Sequence, residues 1–275
     1  MAISLILQFF FSAALPQGGE TGLIEEFDAS LPRTGSLRMM MSPSQVLGPE
    51  RAAELNHLLL SDEMIEWSVY VPGDYSPKRP PGVIVFVPSR SRGTVPDNWR
   101  ALMDEKNLIW MGPMVAGASE PSNERVLKAI LAPYAIADRY AVNSNRVYIA
   151  GYSDGGKVAN IVHSADPVMF KGGLYICGAL FWGDEDPDKF KKVLANRHVF
   201  IGGCAGTDKR DVIRAHQNFV EAGLENASLI TMPTPRGWLP RTATMEGAID
   251  FLDGTVSMPA EQAGQDTQLM DDKNE

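Results

Sequence analysis

The sequence predicts a single α/β domain in which a mostly parallel β-sheet is covered by helices on both faces. Its length of 275 residues suits one domain of this class. Short runs of β-branched and aromatic residues alternate along the chain with segments of helical periodicity. Several of these runs are apolar almost throughout, which is typical of parallel strands that are buried on both faces.

Seven strands are predicted, in chain order, at 66–72, 82–87, 108–113, 146–151, 172–177, 198–203 and 228–233. Helical periodicity between and after them predicts six helices at 98–106, 123–139, 155–164, 187–195, 209–222 and 244–253. Proline has no amide hydrogen to donate and crowds the preceding turn. Pro133 therefore predicts either a kink in the second helix or the start of a new one.

The two ends of the chain differ from this domain, which is expected to span 61–256. Residues 1–18 contain an apolar run followed by small residues, which is typical of a secretory signal peptide and short for a membrane span. A buried N-terminal segment is the alternative, because no basic residue precedes the run. Residues 19–60 predict a flexible or partly helical lead-in, and 257–275 a disordered acidic tail. The sequence thus favours a secreted or periplasmic protein with no integral membrane span.

Charge and cysteine content narrow the choice of partners and cofactors. The net charge is −9 and no long run of Lys or Arg occurs, which argues against nucleic acid as a partner. The two cysteines, Cys177 and Cys204, have no metal-binding spacing, so neither a metal nor another cofactor is predicted. Each follows or ends a predicted strand, and both a disulfide and two free thiols are open. No pattern indicates an oligomeric state.

The clearest motif is GYSDGG at 151–156, directly after one predicted strand and directly before a predicted helix. This is GxSxG in the strand, turn and helix context in which it forms a nucleophile elbow. Ser153 would occupy the sharp turn, and the flanking glycines would allow close approach of the backbone. The backbone amide of Asp154 is then one predicted donor to an oxyanion.

With this motif the chain resembles the secreted serine esterases of the polyhydroxybutyrate-depolymerase and feruloyl-esterase type, within the α/β-hydrolase superfamily. The resemblance extends over roughly 67–254, and its other matching stretches are 69–72, 83–87, 146–156, 175–178 and 200–208. It implies an α/β-hydrolase sheet, a small-molecule ester as substrate, and Ser153 as the nucleophile. It also implies that Asp208, in the loop after the strand 198–203, orients a catalytic histidine. A role for Asp208 in a turn or helix cap is the alternative.

Two stretches depart from that family. After the last strand the chain reads PRGWLP at 235–240, so Trp238 stands where the family has its histidine, and no histidine follows His216. After the strand 82–87 it reads PSRSRG at 88–93 in place of a His-Gly pair. Pro88 has no amide hydrogen, so the amide of Ser89, or that of Arg90, is the predicted second oxyanion donor.

None of the four histidines is expected to replace the missing base; they are His57, His163, His198 and His216. An indole N–H can only donate a hydrogen bond, so Trp238 cannot accept the serine proton. One hypothesis is a weak or rewired esterase of small carboxylic esters. The alternative is a pseudo-hydrolase that binds an aromatic or carbohydrate-like ligand in the former acyl pocket, lined by Tyr152 and Trp238. A third is a structural domain without a ligand.

Overall fold

The structure is a computed structural model, and it describes residues 32–55, 63–90, 92–181, 186–203, 207–232 and 239–256, with the backbone alone at 207–209. The predicted signal peptide and tail lie outside these ranges. The described strands are β1 Gly35–Met41, β2 Ile65–Val71, β3 Gly82–Val87, β4 Leu108–Pro113, β5 Val147–Tyr152, β6 Gly172–Ile176, β7 Arg197–Gly202 and β8 Ala227–Thr231. The described helices are α1 Pro43–Leu47, α2 Pro49–Glu54, α3 Asp97–Glu105, α4 Ser122–Ala137, α5 Asp154–Ala165, α6 Pro187–Ala195, α7 Thr207–Glu221 and α8 Thr242–Leu252.

All of these strands join one sheet in the order β1-β2-β4-β3-β5-β6-β7-β8. The pairs β1–β2 and β2–β4 are antiparallel, and every other neighbouring pair is parallel. Each crossover from β3 to β8 contains a helix, as parallel neighbours require. The predicted mostly parallel sheet is therefore confirmed, and the carboxyl ends of β3, β5, β6 and β7 lie side by side at one edge.

The sheet separates two hydrophobic cores, and alternate residues of β3 enter each of them. Val83, Val85 and Val87 pack into the core under α4, α5 and α7, whereas Ile84 and Phe86 pack into the core under α3 and α8. All six residues of β3 are buried. Burial on both faces explains why the strand reads as a continuous apolar run, and it confirms the predicted helices on both sides.

The structure differs from expectation in the lead-in, and it decides between the alternatives at Pro133. Residues 35–41 fall within the predicted lead-in, yet they form β1 and pair with β2 from Gly35↔Val71 to Met41↔Ile65. At Pro133, of the two alternatives, no new helix begins, since α4 runs through it from Ser122 to Ala137. Burial of nearly every α4 residue around Pro133 offsets the lost hydrogen bond. Among the described helices, none is long and apolar enough to cross a membrane.

Candidate functional site at the nucleophile elbow

Ser153 occupies a one-residue turn between β5, which ends at Tyr152, and α5, which begins at Asp154. Its backbone has φ 53° and ψ −120°, a conformation that L-residues rarely adopt. The Ser153 amide donates to the carbonyl of Ile176 at 2.7 Å, and its carbonyl accepts from the Gly156 amide at 2.9 Å. These bonds hold the turn in place, and strain of this kind clusters at functional sites.

Two glycines allow the segments around Ser153 to approach one another. A Cβ built on Gly155 would lie 2.1 Å from the carbonyl oxygen of Val87, and one on Gly178 would lie 1.9 Å from that of Ser153. Cβ atoms essentially never come so close to a backbone oxygen to which they are not bonded. The first turn of α5 is therefore pressed against the end of β3, and the loop after β6 against the elbow.

Gly155→Ala is expected to destabilise the protein by about 3 kcal/mol or more, because the new methyl group meets the backbone of Val87, which is paired with Gly151 in the sheet. Gly247→Ala is the matched control, since Gly247 also lies in a helix but has open space around its Cβ position. Alanine there should stabilise the protein by up to about 1 kcal/mol. Urea unfolding of both variants measures the difference, and equal effects would contradict the packing described for the elbow.

The loop after β3 contributes the other side of the site. Pro88 is buried, Ser89 is partly exposed and Arg90 is exposed. The carbonyl of Ser89 accepts from the Ala118 amide at 3.2 Å, which links this loop to the one after β4. Since Gly155 also lies against Val87 and Pro88, the loop that carries Ser89 runs beside the first turn of α5.

Arg125 of α4 joins these segments and was not anticipated from the sequence. Its side chain is only 1% exposed and forms an ion pair with Asp154, whose side chain is 49% exposed. Nε donates to the carbonyl of Ala116 at 2.9 Å and Nη2 to the carbonyl of Pro88 at 3.1 Å. An arginine in the polar first turn of a helix usually points to solvent, so the sequence carried no signal for this role.

Two of the described histidines, His163 and His198, make their hydrogen-bonding contacts away from the elbow. His163 Nδ1 lies 2.8 Å from the Tyr175 hydroxyl, and its Nε2 lies 3.0 Å from the side-chain nitrogen of Asn196. His198 Nδ1 lies 3.2 Å from the same hydroxyl, and its Nε2 donates to the carbonyl of Val193 at 2.8 Å. Burial lowers the pKa of both imidazoles, to about 4 for His198.

The remaining histidines differ in what is described of them. His216, in α7, packs edge-on against Phe200 with ring centroids 5.3 Å apart, and burial lowers its pKa as well. His57 lies outside the described residues. Three of the four histidines thus have described positions, and His163 and His198 use both ring nitrogens in contacts away from the elbow.

The other predicted site residues are described to different extents. Tyr152 is the last residue of β5 and is partly buried against the core under α3 and α8. The backbone of Asp208 lies in the first turn of α7, one residue after its start at Thr207, rather than in a loop. Trp238 lies outside the described residues. The contacts of Asp208 and Trp238 with Ser153 therefore stay predictions.

Cys177 lies beside the elbow and is disulfide-bonded. It follows β6 with φ 59°, and its amide donates to the carbonyl of Ile201 in β7 at 2.8 Å. The sequence left both a disulfide and a free thiol open for Cys177, and the structure has the disulfide. The chain contains one other cysteine, Cys204, which lies outside the described residues. Among the described residues, no group of His, Cys, Asp or Glu is arranged to hold a metal ion.

Comparison with known proteins identifies the fold. No protein-family profile and no curated protein matches the sequence. A ferulic acid esterase structure superposes with a TM-score of 0.58 at 14% identity, covering 82% of this chain and 100% of its own. A poly(3-hydroxybutyrate) depolymerase from Bordetella parapertussis gives 0.55 at 13% identity, covering 85% and 94%.

A thermostable esterase gives a TM-score of 0.53 at 16% identity over 78% of this chain, which spans 60% of that esterase's length. At such identities the likeness concerns the fold alone. The chain has the α/β-hydrolase fold, as the elbow motif and its strand and helix context predict.

Proposed function

We propose that this protein accepts acyl groups on Ser153 from small carboxylic esters and releases them slowly. The observation that carries the proposal is the backbone of Ser153, which keeps a strained conformation between β5 and α5. Such a conformation costs about 1–3 kcal/mol and exposes the serine hydroxyl at the edge of an α/β-hydrolase sheet. The three esterase and depolymerase structures that share this fold support the same class of reaction.

The reaction proposed is nucleophilic acyl transfer. Ser153 Oγ forms a bond to the ester carbonyl carbon, the alcohol leaves, and the hydroxyl proton passes to solvent or to the leaving alkoxide. Amides of Asp154 and Ser89 stabilise the negative charge on the carbonyl oxygen. Water then hydrolyses the acyl-serine to release the acid.

Slow release follows from the residue proposed at the base position. Trp238 replaces the histidine of the esterases that this sequence resembles, and its indole cannot take up a proton. Asp208 keeps the acid of the triad but has no imidazole to orient. Catalysis from oxyanion stabilisation and binding alone still amounts to about 10³–10⁴-fold over water. Weak turnover is therefore the expected activity.

Apolar side chains near the elbow suit an ester with a hydrophobic acyl or aromatic group. Leu180 and Phe181 are 36% and 38% exposed, and they follow within three residues of Gly178, which touches the Ser153 backbone. Phe181 packs edge-on against Phe219 of α7 with ring centroids 5.0 Å apart. Exposed aromatic and aliphatic carbon beside polar donors is the usual composition of a small-molecule site.

A second function, ligand binding without chemistry, is favoured by one further observation. The loop after β3 begins with Pro88 and has no glycine before Gly93, so it differs from the His-Gly loop of the resembling esterases. If that loop presents no second amide to an oxyanion, the site binds an aromatic or carbohydrate-like ligand between Tyr152 and Trp238.

Reaction of the full chain with a fluorophosphonate probe tests the first function. Ser153 Oγ attacks phosphorus and fluoride leaves, so intact mass and peptide mapping should show one adduct on Ser153. Ser153→Ala should show none. p-Nitrophenyl acetate should give a burst of about one equivalent of nitrophenol followed by slow turnover.

The second function gives a different result in the same experiment. It predicts no adduct on Ser153, together with saturable quenching of tryptophan fluorescence by methyl ferulate that Trp238→Ala removes. Absence of any Ser153 adduct would overturn the acyl-transfer proposal, whatever the result of the fluorescence titration.

A further inference from the structure

Arg125 uses its guanidinium group to hold three separate segments at the carboxyl edge of the sheet. Nη1 pairs with the carboxylate of Asp154, Nη2 donates to the Pro88 carbonyl at 3.1 Å, and Nε donates to the Ala116 carbonyl at 2.9 Å. The side chain is almost fully buried. A planar guanidinium with donors in fixed directions can serve three acceptors at once, which a lysine ammonium on a flexible stem cannot do with the same geometry.

The bond to Pro88 bears on the orientation of the Ser89 amide. The carbonyl of Pro88 and the N–H of Ser89 belong to one planar peptide unit, and no described peptide bond is cis. In a trans peptide the N–H points opposite to the C=O. By holding the carbonyl oxygen of Pro88, Arg125 directs the Ser89 N–H away from itself and limits rotation of that peptide plane.

The ion pair between Arg125 and Asp154 bears on the other predicted oxyanion donor, which is the backbone amide of Asp154. Asp154 is the first residue of α5 and directly follows Ser153, so its amide stands at the elbow. Its carboxylate is tied to Arg125, and the next residue, Gly155, is pressed against Val87 and Pro88. The guanidinium of Arg125 therefore binds Asp154, which carries one predicted donor amide, and the peptide unit between Pro88 and Ser89, which carries the other.

We propose that Arg125 is a positioning residue that sets the two oxyanion amides, those of Ser89 and Asp154, relative to Ser153. The inference rests on the proposed acyl transfer to Ser153. Oxyanion donors work by being fixed before charge develops, and loss of one donor typically lowers the rate about 10²–10³-fold. A positioning residue acts through such donors without touching the substrate.

A purely structural ion pair is the competing explanation, and Lys128 provides the matched control. Lys128 lies one turn further along α4, and its Nζ donates to the Val115 carbonyl at 2.8 Å in the same loop that Arg125 binds through Ala116. Its Nζ also lies 3.5 Å from the carboxylate of Glu124, and among the described residues no hydrogen bond or ion pair joins Lys128 to Ser89 or Asp154. Lys128→Met thus removes a similar link between α4 and that loop without touching the amides.

The test compares Arg125→Lys with Lys128→Met in the full chain by two measurements. The first is the rate of Ser153 modification by a fluorophosphonate, separated into the maximal rate and the half-saturating concentration. We expect Arg125→Lys to lower the maximal rate about 10- to 100-fold with little change in half-saturation, because lysine keeps the charge but loses the three-way geometry. Lys128→Met should retain the wild-type maximal rate.

The second measurement does not depend on reactivity. The ¹⁵N order parameters of the Ser89 and Asp154 amides should fall from about 0.85 toward 0.6 in Arg125→Lys and stay unchanged in Lys128→Met. Equal maximal rates in the two variants, or unchanged order parameters in Arg125→Lys, would overturn the inference. If the wild-type chain forms no adduct, the acyl-transfer proposal fails, and the order parameters alone decide the role of Arg125.

Discussion

Replacing Trp238 by histidine is expected to raise the rate of ester hydrolysis at pH 7 by about 10²–10⁴-fold, the usual contribution of a positioned general base. The imidazole would take the proton of Ser153 Oγ as the bond to carbon forms and return it to the leaving alcohol. p-Nitrophenyl butyrate hydrolysis measures the effect. Trp238→Phe, which removes the indole without adding a base, is the matched control and should remain near the wild-type rate.

Two further substitutions locate the gain in the proposed triad. Adding Ser153→Ala to the Trp238→His chain should abolish the new activity. Adding Asp208→Asn should remove most of it, because the imidazole then loses the carboxylate that selects its tautomer. If Trp238→His leaves turnover unchanged, the missing base is not the only defect, and the loop that carries Ser89 does not bind an oxyanion.

Acid is expected to destabilise the protein through the buried pair His163 and His198. Their rings stack with centroids 4.5 Å apart and are fully buried. The Tyr175 hydroxyl lies 2.8 Å from His163 Nδ1 and 3.2 Å from His198 Nδ1, and His198 Nε2–H donates to the carbonyl of Val193 at 2.8 Å. A proton added to either neutral ring would place a charge on a fully buried group.

The direction of the pH effect follows from these lowered pKa values. Between the unfolded pKa of about 6.5 and the folded pKa of His198, about 4, the unfolded chain binds the additional proton. The contribution of His198 to the free energy of unfolding should therefore be at its maximum above pH 6.5. It should decrease by about 3 kcal/mol as the pH drops toward 4. Burial raises the pKa of nearby Asp166, which works in the opposite direction at low pH.

Urea unfolding between pH 4.5 and 7.5 measures this dependence. His198→Gln should be less stable at pH 7 but should lose much of the slope with pH, because glutamine does not titrate. His216→Gln is the control, since His216 is less buried and should change the slope less. Parallel curves for wild type and His198→Gln would contradict the assignment of the acid sensitivity to the buried pair.

The sequence predicted those strands and helices that depend on patterns of neighbouring residues. The run Val83–Val87 reads as a strand buried on both faces, and the structure has it so. β1 escaped prediction because its three consecutive methionines lack alternation, and its register depends on pairing with β2. The place of β4 between β2 and β3 was likewise beyond local patterns, because strand order depends on contacts between distant segments.

The site divides in the same way. GxSxG encodes the turn at Ser153 because the close contacts of Gly155 leave no room for a side chain. Arg125 could not be found, since its acceptors lie 9 to 37 residues away in sequence and two of them are backbone carbonyls that any residue could supply. The types of residues so far apart in the sequence do not indicate that Arg125 contacts them.

The dependence of Ser153 acylation on pH tests most directly whether the nucleophile lacks an imidazole. The account predicts that the wild-type rate of fluorophosphonate modification rises with pH through the neutral range without a plateau, and that Trp238→His acquires a sigmoidal step with a midpoint near 6.5. A step of that kind in the wild-type chain, removed by substituting any one of its four histidines, would contradict the account.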